Sequence, residues 1–400
     1  MDLKFSSRAG LVFLASVLLS FLAASSAPTP LYHLYQESWH FSPATLTLVF
    51  GVYALSLLAA LLVVGSLSDY LGRKPVILTA LLLDMGAMLL FIHASDVRWL
   101  LAARVLQGFA TGMATSVLGA ALLDTSRTQG ALVNSLAPLL GMAVGALGTS
   151  VLVDYAPQPL HLAYWVLLAV FALQLLLLSL LGESVSPQPG AWASLRPALS
   201  IPVQARAALW RMLPVDVAVW MTGGFFLSLA PSLLRVATGS TSNLLGGALV
   251  ATLTLSGAAA IYTLRNAQAE QTLRLGTMLL ALGVGLVLVA SNNGLLALFF
   301  IGTVVAGCGF GAGFLGAVRS VMPLAHAHER AGLMATFYVL SYLAFCVPAI
   351  GAGFMVREFG LIATSNGYVA VQLALCGFAL VGMWRRNAAA DSSASGPHTG

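Results

Sequence analysis

The chain has 400 residues, of which 59% are hydrophobic and 8% charged, and its mean hydropathy is +0.93. A soluble domain carries about 25% charged residues, so this composition excludes a water-soluble enzyme, a disordered chain and a coiled coil. It makes lipid the natural solvent of the folded surface. The net charge of +5 comes from 18 basic against 13 acidic residues, and in a membrane chain their placement matters more than their sum.

Twelve mostly apolar runs follow one another, each near the length of about 20 residues that crosses a bilayer as a helix. The first six are Ala9 to Pro30, Ala44 to Ser66, Pro75 to Ala94, Arg98 to Leu123, Ala131 to Val153 and Leu160 to Leu181. The second six are Met212 to Val236, Asn243 to Leu264, Leu273 to Ala290, Gly294 to Val318, Ala331 to Val356 and Leu361 to Trp384. None alternates as a strand does, and backbone in lipid is satisfied only in helices or closed barrels. The expected fold is therefore an all-α integral membrane protein of twelve transmembrane helices. Cys308, Cys346 and Cys376 sit inside apolar runs without the spacing of a disulfide or metal site.

The first run needs care. Lys4 and Arg8 before an apolar stretch, and Ser25-Ser26-Ala27 after it, imitate a signal peptide. Cleavage there would leave eleven spans and send the termini to opposite sides. The basic residues argue against it. With the N-terminus inside the cell, Arg98, Arg235 and Arg357 fall outside, Arg104 falls within a span and the other fourteen fall inside, the bias of an inner-membrane protein. Both termini are expected to be cytoplasmic.

The longest polar connection separates six runs from six. The expected units are residues 1–182, a cytoplasmic linker 183–211, residues 212–386 and a disordered polar tail 387–400. The halves echo each other: Pro138-x-x-Gly141 in the fifth run matches Pro348-x-x-Gly351 in the eleventh, and Asp124 with Arg127 matches Glu329-Arg330. Matching ordinal positions point to a duplicated six-helix bundle.

Between the second and third runs stands Gly65-Ser66-Leu67-Ser68-Asp69-Tyr70-Leu71-Gly72-Arg73-Lys74. Gly72 permits a sharp turn, and Pro75 opens the next helix where a missing N–H costs nothing. This loop resembles the signature of the major facilitator superfamily, departing from it at Tyr70, where a basic residue is common. The resemblance implies two six-helix bundles. It also implies a conformational lock in which Arg73, with Gly65, Asp69, Gly72 and Lys74, engages an acid at the end of the fourth helix, here Asp124. The second half has only a degraded counterpart, Arg265 with Arg274.

A charge deep in a bilayer is costly, at least about 2.5–3.5 kcal/mol on insertion scales. By a rise of 1.5 Å per residue, Asp84 lies about 14 Å from one face and Arg104 roughly 10 Å from the other. In a core of about 30 Å the two can pair, directly or through water. Such a pair either fixes the third helix to the fourth or carries a transported proton, because burial raises a carboxyl pKa and a nearby Arg lowers it. Arg104-x-x-Gln107-Gly108, with Gly112, resembles the family's helix-four motif, whose Arg is associated with proton coupling. Asp216, four residues into the seventh run, reads as interfacial, with a proton site as the alternative.

In the fifth run Ala137-Pro138-Leu139-Leu140-Gly141-Met142, with Gly145, partly resembles the family's antiporter motif. The Pro bends the helix and the glycines admit a close neighbour, so Pro138, Gly141 and Gly145 are expected gating residues. The six glycines of the tenth run, from Gly302 to Gly316, read as packing or bending.

In the resembled fold, helices one, four, seven and ten line a central cavity. That nominates Ser16, Ser20, Gln107, Thr111, Trp220, Thr222, Phe225, Phe226 and Phe310 from those helices, and Tyr53, Asn134, Thr336 and Tyr338 from their neighbours. The function so implied is proton-coupled export of small lipophilic or amphiphilic compounds by a monomer. Import of a nutrient such as an organic acid or sugar is the alternative. Small-molecule substrate, protons and the bilayer are the expected partners, with no nucleic acid and no cofactor. The chain has no His-x-x-x-His, nucleotide loop or Ser/His/Asp set that would suggest an enzyme.

Overall fold

The computed structural model describes residues 6–197, 199–326 and 328–394. Among them there are helices, turns and bends and no strand. Eleven helices are long and apolar enough to cross a membrane, and a bent pair makes the twelfth span.

The first half comprises α1 (Ser7–Ser26), α2 (Pro43–Val64), α3 (Arg73–Ile92), α4 (Val97–Thr125), α5 (Arg127–Tyr155) and α6 (Leu162–Leu177). The second comprises α7 (Val203–Ser228), α8 (Asn243–Leu264), α9 (Ala269–Asn293), α10 (Leu296–Val321), α11 (Arg330–Phe359) and α12 (Leu361–Ala394). Four helices of the first half, α1, α2, α4 and α5, start at a short polar side-chain cap: Ser42 accepts from Thr45 N at 3.1 Å, and Asp96 from Arg98 N at 2.8 Å. One buried core is drawn wholly from residues between Phe13 and Leu181, a second wholly from those between Ala205 and Met383. The halves meet through α5 with α8 and α2 with α11.

Three expectations need correction. The seventh helix begins at Val203, nine residues before the expected Met212, because Gln204 to Arg211 are good helix formers that need no lipid. It then breaks at Leu229, and Ala230–Thr238 leaves at 61°. The first run continues past Pro30 through a turn of 3₁₀ helix at Thr29–Leu31 into Tyr32–Trp39. Its signal-like Ser25, Ser26 and Ala27 are buried, as are Leu14, Val17 and Phe21, so α1 is an integral core helix. The tail expected to be disordered from residue 387 is helical as far as Ala394, and 395–400 lie outside the described residues.

The α10 glycines are explained by packing. A Cβ on Gly302, Gly309 or Gly316 would strike the α9 backbone at Val287, Leu280 and Leu273. Gly307 and Gly311 are pressed in the same way against α8 at Leu253 and Gly257. Spacing by seven keeps one stripe on α9, and the close approach replaces the hydrophobic driving force that lipid cannot supply.

Candidate functional site

The loop between α2 and α3 carries the short helix Ser68–Leu71 and ends at Gly72, φ +96. The turn aims Arg73 back under the loop. Its Nη1 lies 2.5 Å from Asp69 Oδ1 and donates to Ser68 Oγ at 2.7 Å, while its Nε reaches Asp124 Oδ2 at 2.9 Å. The structure thus brings Asp69, Arg73 and Asp124 together at one membrane face, here termed the loop face. Gly65 offers its carbonyl to Ser116 Oγ of α4, and Lys74 Nζ reaches the Ser179 carbonyl at 3.2 Å.

Sequence reasoning missed Glu183. Its carboxylate accepts from the first amides of α3, Arg73 N at 2.8 Å and Lys74 N at 2.9 Å, where a helix N-terminus favours negative charge. Ser184 Oγ then donates to Asp124 Oδ2 at 2.9 Å. A Cβ at Gly72 would lie 2.8 Å from Glu183 Oε2, so two independent constraints demand glycine there. The available signal was an acid directly after the sixth apolar run.

Asp84 and Arg104 are both buried, at 0% and 1% exposure, but they do not form the direct pair allowed above. Neither Asp84 oxygen has a hydrogen-bond partner. Arg104 Nη1 instead donates to the Ser25 carbonyl at 2.9 Å and Gln107 Oε1 at 2.6 Å, with its guanidinium 4.0 Å from the centre of the Tyr53 ring. Asp216 lies thirteen residues inside α7, is 0% exposed and accepts from Ser341 Oγ of α11 at 2.9 Å. Trp220, one turn further on in α7, also acts on this carboxylate through its side chain.

A cavity of about 680 Å³ lies between the halves, running from Thr29 and Leu227 down to Ser66, Asp69 and Arg196 at the loop face. Of the nominated residues, Trp220, Phe310, Tyr338, Tyr53 and Asn134 line it. The others do not, because their side chains have other neighbours. Gln107 donates to the Ala24 carbonyl at 2.9 Å, and Thr111 to the Gln107 carbonyl. Phe225 stacks on Tyr368 at 5.3 Å, and Phe226 is buried in the second core. Thr222 accepts from Gln372, Ser20 from Gln174, Ser16 bonds the Phe13 carbonyl and Thr336 the Ser200 carbonyl. The residues not foreseen are Tyr342, Phe345 and Phe314, whose rings stand 4.9, 5.9 and 6.2 Å from Trp220.

The opposite, far face is shut. Phe50, Ala54, Ala146, Leu227, Val250, Phe345, Cys346 and Ala349 form a buried cluster drawn from both halves. Above it, Thr29 Oγ1 donates to the Leu227 carbonyl at 3.2 Å. Arg235, on Ala230–Thr238, lies 2.9 Å from His33 Nε2, 3.1 Å from Asn243 Oδ1 and 3.9 Å from Glu37 Oε1. Asn243 Nδ2 donates to Asp154 Oδ1 at 2.7 Å, and Asp154 Oδ2 accepts from Leu244 N at the start of α8. This clasp ties α5 and the end of the first span to α8 and the end of the seventh.

Pro138 lies inside α5 and on the cavity wall. Beyond it, Gly141 and Gly145 face the carbonyls of Leu19 and Ala23 of α1 so closely that a Cβ would not fit, and Ser26 Oγ donates to the Met142 carbonyl at 2.9 Å. The glycine face of α5 thus belongs to a helix contact inside the first half.

Residues 12–347 match the family model of the Major Facilitator Superfamily. Over 84 residues the chain is 39% identical to the multidrug resistance protein MdtL of Salmonella schwarzengrund and to that of Salmonella typhimurium. That stretch is 21% of this chain and 21% of each relative, so the match spans about a fifth of the relatives' length. The structure of nucleoside transporter NupG superposes with a TM-score of 0.69 at 14% identity, covering 94% of this chain and 99% of that one. Human organic anion transporter MFSD10 (TETRAN) does so with 0.64 at 20% identity, covering 94% and 100%. At such identities the likeness speaks for the fold alone. A family match over so much of the sequence says more: the chain belongs to the Major Facilitator Superfamily and is a multi-pass membrane protein.

Proposed function

We propose that the chain is a proton-coupled exporter of small lipophilic or amphiphilic compounds that works as a monomer by alternating access. The observation that carries this reading is the cavity between the halves, reachable from the loop face and shut at the far face, with Trp220, Tyr342 and Phe345 on its wall. Rings in such a pocket bind by removal of apolar surface from water, about 25 cal/mol per Å². The multidrug resistance relatives support export. The positive-inside count supports a bacterial inner membrane with the loop face and both termini cytoplasmic. A single chain encloses the whole cavity, which supports a monomer.

In this reading the Gly65–Lys74 loop, Asp124 and Glu183 make the loop-face ends of α2, α3 and α4 move as one body. Pro138, Gly141 and Gly145 give α5 its bend and its close seat on α1. No nucleotide-binding loop occurs in the sequence, so energy comes from an ion gradient. Asp84, which has no hydrogen-bond partner, and Asp216, which is held by Ser341 and Trp220, are the candidate proton carriers, with Arg104 biasing Asp84 by charge.

Growth of cells expressing or lacking the chain tests the reading on a toxic-compound panel and a carbon-source panel. Resistance that vanishes with the gene supports export. Loss of growth on a single carbon source, with unchanged resistance, would make the chain an importer.

A further inference from the structure

We infer that the cavity takes amphiphilic aromatic monoanions, with the anionic group seated on Arg104. The inference rests on the transporter reading above but is independent of the direction of transport.

Three charged residues line the cavity: Arg104 deep inside, and Asp69 and Arg196 toward the loop face. Asp69 is already engaged by Arg73. The interior acids Asp84 and Asp216 are fully buried and are not part of the wall. Asp84 offsets Arg104 only by charge at a distance and forms no bond to it, so the charge presented on the wall itself is positive.

Arg104 is also incompletely satisfied. The protein's two acceptors, the Ser25 carbonyl and Gln107 Oε1, both occupy Nη1. Its Nε is buried with no acceptor at all. A buried donor left unpaired is costly, and a carboxylate matches the two-pronged edge of a guanidinium. The Trp220, Tyr342 and Phe345 rings provide the apolar slot that an aromatic body needs.

The alternatives fit worse. A cation would leave water for a wall without a free carboxylate, and its desolvation would go uncompensated. A neutral isostere would gain the slot but not the charge-assisted hydrogen bonds. Arg196 near the mouth favours the local concentration of anions.

The test is equilibrium dialysis of the purified full-length protein, with no gradient, against three probes of one shape: 2-naphthoate, 2-naphthamide and 2-naphthylmethylammonium. Naphthoate should bind about tenfold or more tighter than the amide, with the ammonium weakest. Arg104→Gln should bring naphthoate down to the level of the amide. Arg104→Lys, which keeps the charge, should retain the order of the three and guards against a folding artefact. Ammonium binding at least as tight as naphthoate, or an anion preference that survives Arg104→Gln, overturns the inference. So does absence of naphthoate binding at about 1 mM, the weak end for a specific complex. A chain that binds naphthoate yet drives nothing uphill leaves this inference standing and contradicts proton-coupled transport instead.

Discussion

The two faces of the molecule are held together in different ways. At the loop face Asp69, Arg73 and Asp124 belong to the first half, and Glu183, at the start of the linker, bonds back onto it, so these bonds can persist while the halves move against each other. At the far face Arg235 and Asn243 of the second half reach His33, Glu37 and Asp154 of the first, so separation of the halves there must break them. In the proposed alternating-access reading, the loop makes one body rigid and the clasp helps decide which face is closed. A rocking transporter needs both, and only the second is a gate.

The comparison breaks most severely at Gly72. A β-branched residue at φ +96 is strained by about 1–3 kcal/mol and would also push on Glu183. Gly72→Val should lower transport more than about tenfold at equal membrane levels. Asp69→Ala should lower it less, because Arg73 keeps Asp124 and Ser68. Parental transport rates in both variants would show that the loop is plain topogenic charge.

A smaller effect is expected at the far face. Arg235→Ala should open it more often, read as several-fold faster labelling of Thr29→Cys by a membrane-impermeant thiol reagent. The clasp is partly solvated, with Arg235 26% and Glu37 67% exposed, so each bond contributes little and the apolar cluster beneath retains most of the seal. Labelling unchanged by Arg235→Ala would make the clasp incidental.

Asp84 sharpens the contrast between structural and working charge. It is fully buried with no hydrogen-bond partner and only the charge of Arg104 to offset its desolvation, so Asp84→Asn should leave heat stability equal or better. The same variant should abolish uphill transport and spare downhill exchange. If it pumps like the parent, the proton site moves to Asp216. A marked loss of stability would instead identify Asp84 as structural.

The loop was legible because its residues lie within ten positions, and Asp124 could be added from the family resemblance. Glu183 and the clasp were not: His33 and Arg235 are 202 positions apart, and only the fold brings them together. Span number was readable from length and hydropathy, whereas the bond from Ser341 to Asp216 was not, because the two residues are 125 positions apart. Cavity-facing residues were hardest. These helices are apolar on every side, so nothing in the sequence says that Trp220 faces the cavity while Phe225 and Phe226 face other helices.

The smallest expected effect concerns Glu329, the sequence counterpart of Asp124. The His326 backbone N–H, then Gln204, then the nearby His326 and His328 side chains hold its carboxyl below the ordinary Glu value of 4.5. Its folded pKa is depressed, so its stabilising contribution is present above the unfolded value and is lost as pH falls through the folded one. Melting temperatures of Glu329→Gln and the parent should therefore differ slightly at neutral pH and converge below about pH 4.5. The group is only half-buried, so a large difference at neutral pH would mean that the pairing with Gln204 does more than the geometry implies.

The central claim is tested most directly by purified protein in liposomes with an imposed proton gradient and the best compound from the growth panel. The account predicts movement of that compound against its own gradient, opposite to the protons, and collapse to simple equilibration when a protonophore is added. Uphill movement untouched by the protonophore, or none at any gradient while downhill flux persists, would contradict it.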